Sequence, residues 1–256
     1  MMGEELNAAD ITDKGLLGDR AYAVLDSLSG KVATAKNLRQ FPGLFDCLAD
    51  FVVPPKFGAP IPPVRIILPD GTALTSEEPE ASKILSTFFG RDVTLSLPLD
   101  HATMDMENPT DVQGIALSGA AQGLSLFANT FFDAAPLLIM TTSTLDHFRR
   151  LYPEGRFEVR RFRPNIVVEP EKETEAFIEN AWIGKTVTLG DGARLKIIGA
   201  CSRCVMTTLP QGDLPKDVGI LRTIAQYSPK LKLGANLGVY ATVDRPGRIK
   251  RCDGFF

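Results

Sequence analysis

Gly199-Ala200-Cys201-Ser202-Arg203-Cys204-Val205-Met206-Thr207-Thr208-Leu209 is the stretch that decides how this chain is read. An apolar, β-like run (Leu195, Ile197, Ile198) leads into it, and Val205 and Met206 continue it. The pattern predicts two thiols at a turn between strands. Cys204 is the expected working residue. A thiolate is a soft metal ligand and a nucleophile, and the guanidinium of Arg203 stands beside it. On these residues alone three outcomes stay open: a metal ligand, a nucleophile, or two structural thiols packed as small hydrophobes.

Spacing narrows the metal options. A zinc ribbon needs four ligands, usually two Cys-x-x-Cys pairs, and the other candidates here (Cys47, Cys252, His101, His147) stand isolated. A thioredoxin-like pair should open a helix, whereas the residues after Cys204 read as strand. Iron-sulfur ligation needs clustered thiolates that this sequence lacks. What remains is one thiolate ligand to a metal carried by an organic cofactor, with anion-binding groups elsewhere.

Composition sets the frame around that stretch. With 256 residues the chain suits one large domain or two small ones. Its 44% apolar and 23% charged residues describe a globular protein, and a net charge of -3 gives no basic field for nucleic acid. No apolar run approaches the roughly 18 residues of a membrane helix. The 18 prolines and 22 glycines separate short apolar runs, which favours many short strands and tight turns. Four cysteines without a signal-like start fit a reducing, cytoplasmic setting.

In chain order, residues 1–17 are polar and short of strand signals. Gly18-Asp19-Arg20 then opens a strand at 21–26, where Arg20 is placed either to hold an anion or, as the plainer reading of these residues, to pair with Asp19 at the surface. A turn at Ser29-Gly30 predicts a return strand over 31–36, with Lys36 either a second cation at the same place or, more commonly for lysine, a solvated side chain. Residues 41–74 read as a β meander, 77–89 as one amphipathic helix and 91–97 as strand. A domain junction is expected within 101–113, and 114–130 reads as loop or weak helix. Phe131-Phe132-Asp133-Ala134-Ala135-Pro136 precedes a buried strand at 137–141, and 144–151 reads as a helix capped by Thr144.

The second concentrated signal is Arg160-Arg161-Phe162-Arg163-Pro164-Asn165. Three guanidiniums in four positions need anions or water. Read as a strand entry, the run puts Arg161 and Arg163 on one face and Arg160 on the other. A solvated basic strand edge is the plain alternative. Further on, 171–180 reads as an acidic helix and Trp182 as core. A hairpin over 184–198 turns at Gly190-Asp191-Gly192, a helix covers 220–227, and a last hairpin spans 237–249.

Taken together, Gly18-Asp19-Arg20, Thr34-Ala35-Lys36, Phe132-Asp133-Ala134-Ala135-Pro136, Phe162-Arg163-Pro164-Asn165 and Cys201-Ser202-Arg203-Cys204 resemble the MOSC family, especially its amidoxime-reducing branch. The resemblance implies a mainly β, α+β chain. An N-terminal β domain over 1–100 would precede a MOSC β-barrel domain over 105–256. It implies a Mo-molybdopterin cofactor, with Cys204 as metal ligand and Cys204 and Asp133 as catalytic residues. Arg20, Lys36, Asp133, Ala134, Ala135, Arg163, Asn165 and Arg203 would bind the cofactor. The activity implied is two-electron oxygen removal from a small N-hydroxylated substrate, fed by a separate electron-donor protein. A non-catalytic carrier of cofactor or sulfur is the alternative the family name allows, and a β protein without function is the third. Relatives carry an additional first strand ending in a Lys-Ser pair and a further strand after the stretch matching Cys252-Asp253. Either the start is misassigned or phosphate binding is weakened, and loss of the first strand is expected to leave an exposed sheet edge.

Overall fold

The computed structural model describes residues 1–35, 40–98, 130–132, 134–172, 174–229, 231 and 234–256. The chain opens with strands β1 (Ala8–Thr12), β2 (Gly15–Leu16), β3 (Ala23–Asp26), β4 (Leu48–Phe51), β5 (Val64–Ile67) and β6 (Ala73–Thr75). Helix α1 (Ala81–Phe89) and β7 (Val93–Ser96) follow. Then come β8 (Leu137–Thr141), α2 (Thr142–Leu151), α3 (Val159–Phe162), β9 (Ile166–Val168), β10 (Thr186–Leu189) and β11 (Ala193–Ser202). α4 (Val218–Tyr227), β12 (Asn236–Arg245) and β13 (Gly247–Lys250) complete the order, with 3-10 turns at Ile178–Trp182 and Val205–Thr208. The class is mainly β with a few helices, as the turn-rich composition predicts. Two compact units result, one from Met1–Glu5 and Gly18–Ala134, the other from Leu6–Leu17 and Ala135–Phe256.

In the first unit β4, β5 and β6 form an antiparallel sheet. Its β5–β6 turn is set by Asp70, whose carboxylate accepts from the Thr72 N–H at 2.8 Å, and by Gly71 at φ 87°. α1 buries Ala81, Leu85 and Phe89, which are one face at helical spacing, and Gly90 ends it in the left-handed region. β3 pairs with β7, and the expected return strand at 31–36 is reduced to one bridge, Leu25 to Val32. The reason is Asp26: its buried carboxylate accepts from Ser29 and from Arg91, which fixes the turn and joins it to the approach to β7. A bridge from Met2 to Leu48 adds a short N-terminal partner to β4.

The second unit carries a five-stranded sheet in the order β10-β11-β12-β8-β9, parallel only between β8 and β9. β11 alternates cleanly: Ala193, Leu195 and Ile197 are fully buried while Arg194, Lys196 and Ile198 face solvent. Three register shifts between β11 and β12 curl the sheet into a half-barrel. Its inner face joins Leu137, Ile139, Val187, Leu195, Val239 and Ala241 in one core. On the other side α2 and α4 close over Met140, Leu145, Phe148, Ile220, Ile224 and Leu237. Each fully buried Leu, Ile, Val, Met or Phe side chain among these contributes about 1.5–3 kcal/mol.

Several expectations are corrected here. Residues 1–17 contain β1 and β2, and β1 pairs with β13 rather than leaving β13 to a hairpin with β12. The run from Val159 is a helical turn, not a strand entry, and Val205–Thr208 is 3-10, not strand. The cap of α2 is Thr141, whose hydroxyl accepts from the Thr144 N–H. Gly254 to Phe256 line the edge of β10, where Thr188 and Phe256 exchange both backbone hydrogen bonds and the Phe255 ring packs at a tilt of 40° against the half-buried Trp182.

Within 171–182 the structural residue is Glu179, 1% exposed. Its Oε2 accepts from the hydroxyls of Thr141 and Thr144 at 2.8 and 2.9 Å, which ties the turn to β8 and α2. Burial pushes its pKa up, against the opposing effect of those hydrogen bonds and of backbone amides including that of Gly238. The folded protein therefore holds the Glu179 proton more tightly than the unfolded chain. This contribution is complete below the ordinary value of 4.5 and is lost as pH rises through the raised folded value. Melting curves should show wild type losing stability relative to Glu179→Gln as pH rises above 4.5 and through the raised folded value; parallel curves would contradict this. Gly238 sits at φ 82°, where an added Cβ would lie 2.7 Å from Met140 Cγ and 2.8 Å from the Ile139 carbonyl. Gly238→Ala should cost about 2–4 kcal/mol in denaturant unfolding, and a cost under about 1 kcal/mol would show that the backbone moves freely there.

Candidate functional site

β11 delivers Cys201 and Cys204 to one place in the second unit. Cys201 is the buried penultimate residue of the strand, and Cys204, half-buried, stands in extended conformation before the 3-10 turn. That turn is held by its own threonines. The Thr207 hydroxyl donates to the Cys204 carbonyl at 3.1 Å and the Thr208 hydroxyl to the Val205 carbonyl at 2.8 Å. These local bonds override the β propensity of Val205 to Thr208. Among the described residues no donor reaches the Cys204 sulfur.

Arg203 connects this loop to the corner after α3. Its backbone N–H donates to the Ala235 carbonyl at 2.7 Å, prolonging the β11–β12 ladder. One terminal nitrogen of its guanidinium donates to Cys201 Sγ at 2.9 Å and the other to the Phe162 carbonyl at 2.5 Å. The guanidinium also lies over the Phe162 ring, 5.5 Å from its centroid. Burial opposes its charge, but Cys201, Tyr240 and Cys204 beside it outweigh that and hold its pKa above the ordinary arginine value. Arg203, expected at the cofactor, thus meets the protein's own sulfur and carbonyl.

The corner itself is Arg163-Pro164-Asn165. Arg163 ends α3 in the left-handed region at φ 54° and ψ 47°, and its N–H donates to the Val159 carbonyl. Asn165 is anchored twice to β8: its N–H donates to the Leu138 carbonyl at 2.8 Å and its Oδ1 accepts from the Leu138 N–H at 2.9 Å. The amide side chain thereby substitutes for a strand partner at the start of β9.

The other two arginines of the run have different surroundings. Arg160 pairs with Glu158 and Asp213, Arg156 joins the same carboxylates, and hydrogen bonds from the Arg156 and Arg160 guanidiniums pull the Asp213 pKa down to about 2. Arg161 is 1% exposed. Its three nitrogens donate to the carbonyls of Arg156, Thr207, Leu209 and Pro215 at 2.8, 3.5, 3.2 and 2.9 Å. Burial lowers its pKa, against the raising effect of Asp217 and Glu158. Nothing in the strand reading of 160–165 pointed to this inward guanidinium. The available signal was Phe157 and Phe162, five apart, which bracket a helical turn and stack at 6.1 Å.

In the first unit Arg20 is exposed, at φ 51°, just after Gly18, and its guanidinium lies 5.6 Å from the ring centroid of Phe132. Gly18 is needed there, since an added Cβ would approach Phe51 to 2.6 Å. Phe132 is buried, Ala134 half-buried and Ala135 buried. Lys36, Asp133 and His101 lie outside the described residues. The structure thus brings Arg20 to the Phe132 segment, and Cys201, Arg203 and Cys204 to the corner of Phe162, Arg163 and Asn165.

The family model of the MOSC domain matches residues 127–254, half of the chain. Mitochondrial amidoxime-reducing component 1 of Homo sapiens is 31% identical over 47% of this chain and 36% of its own length. Molybdenum cofactor sulfurase of Bombyx mori is 37% identical over 33% of this chain and 10% of its own. The matches thus span about a third of the first relative and a tenth of the second. A solved structure, described as the crystal structure of an hypothetical protein, aligns at 15% identity and a TM-score of 0.35 over 47% of this chain and 50% of that one. By its matched domain, this chain belongs to the MOSC family.

Proposed function

We propose that this protein is a molybdenum-dependent oxidoreductase that holds Mo-molybdopterin through Cys204 and removes oxygen from small N-hydroxylated substrates. One observation carries the reading: of the four non-glycine residues at positive φ among the described residues, Arg20, Arg163, Phe177 and Cys252, two are the arginines assigned to the cofactor by resemblance, at 51° and 54°. A left-handed backbone costs a non-glycine residue about 1–2 kcal/mol, and such strain concentrates at ligand sites. Glycine would serve the backbone better at both positions. The guanidinium is what the chain retains by keeping arginine.

The residue types in the second unit suit the group: Cys204 would offer a soft thiolate to molybdenum, Arg163 a cation to phosphate oxygens and Asn165 an amide to a heterocycle edge, and by resemblance Arg20 and Lys36 would add cations. The 133–135 segment would add backbone contacts and the Asp133 carboxylate. Arg203 serves by holding the Cys204 loop against the 162–165 corner. When bound, the cofactor supplies two-electron redox chemistry at molybdenum. Converting an N-hydroxyl to N–H consumes two electrons and two protons and releases water, so a separate electron-donor protein is required. The name of the human relative supports this reaction class, and four free thiols support a reducing, cytoplasmic setting. The sulfurase relative supports a second reading, a carrier of cofactor or sulfur. Turnover of an N-hydroxylated compound with a chemical reductant distinguishes them, because a carrier gives none.

Protein from a cofactor-competent host should contain near-stoichiometric molybdenum that falls to background in Cys204→Ala. Equal metal in both proteins defeats the assignment. Arg163→Gly separates side chain from backbone: its melting temperature should hold or rise by up to about 4 °C while molybdenum content drops. Unchanged content would remove Arg163 from the site.

A further inference from the structure

We propose that Arg161 is a positioning residue for the Cys204 sulfur, an inference that rests on Cys204 being the working thiol. Four main-chain carbonyls surround its guanidinium, and among the described residues no carboxylate is bonded to it. Taking a cation out of water costs several kcal/mol, and an apolar residue of the same volume would fill the space without that cost. What an apolar residue lacks is the fan of donors.

Two of the four carbonyls, those of Thr207 and Leu209, stand at the end of the Val205–Thr208 turn. Carbonyls at such an end have no partner within the turn. Arg161 supplies it, and through the Pro215 and Arg156 carbonyls it fixes the same turn to the returning loop and to the segment before α3. Cys204 stands at the opposite end of this four-residue turn, its carbonyl bonded to the Thr207 N–H and hydroxyl. A shift at Thr207 therefore reaches Cys204 directly. Arg161 grips the turn from behind, and Arg203 sets the approach to it from β11.

Arg161→Lys keeps the charge but replaces the planar fan with a single ammonium that cannot serve all four carbonyls. The test uses the 256-residue chain from a host that makes no molybdenum cofactor, so that Cys204 is read apart from metal. Its alkylation by iodoacetamide is followed by peptide mass spectrometry across pH 6–9, with circular dichroism reporting the fold. In folded Arg161→Lys the Cys204 rate should change at least about fivefold and its pH profile should shift, whereas the Cys47 rate should not change. A folded variant whose Cys204 rate and profile match wild type overturns the proposal. Thr207→Val, which removes the hydroxyl bond to the Cys204 carbonyl and leaves Arg161 in place, is the second arm. It should move the Cys204 profile as well, and an unchanged profile there overturns the proposal even where no Arg161 variant folds. Loss of molybdenum dependence on Cys204 would instead defeat the functional reading and leave the thiol measurements standing.

Discussion

The contact on which the candidate site depends is the Arg203 guanidinium, which joins the Cys201 sulfur at the end of β11 to the Phe162 carbonyl at the end of α3. Arg203 and Phe162 lie 41 residues apart in sequence. Hydrogen bonds to a charged group are worth about 1.5–3 kcal/mol each, so this pair outweighs any neutral contact in the loop. Removing the guanidinium would leave a buried thiol and a main-chain carbonyl without their donor. Cys204 is the next residue, and its placement follows from that anchor on one side and the threonine-bonded turn on the other.

Chemistry carried on such loops needs a rigid support. β11 provides it, with Ala193, Leu195 and Ile197 fully buried in the inner core. β8 provides the rest, because Asn165 is bonded to Leu138 through both its backbone and its side chain. The 162–165 corner can thus hold Arg163 in a left-handed conformation that an unsupported loop would relax. Sequence, strand alternation, anchoring and strain form one chain of causes ending at the arginines and the thiol.

Much of this was legible in the sequence where local chemistry decides structure. The hairpin of β10 and β11 was readable because Gly190 and Gly192 take positive φ in the turn. β8 was readable from its uninterrupted apolar run, and α1 from its 3.6-residue rhythm. The misreadings share a cause, which is that distant partners set the local state. Val205 to Thr208 have strand-like composition, yet their side chains bond back into a turn clamped by Arg161 from 46 residues away. Arg161 itself reads as a surface cation until the carbonyls that receive it are in place. β1 has few strand signals and forms because β13, at the far end of the chain, supplies its partner.

The central claim is a bond between one sulfur of this chain and molybdenum. X-ray absorption at the molybdenum edge of loaded protein measures it most directly, by comparing wild type with Cys204→Ser. The account predicts one fewer sulfur neighbour around the metal in the variant. An identical sulfur shell in both proteins would contradict it.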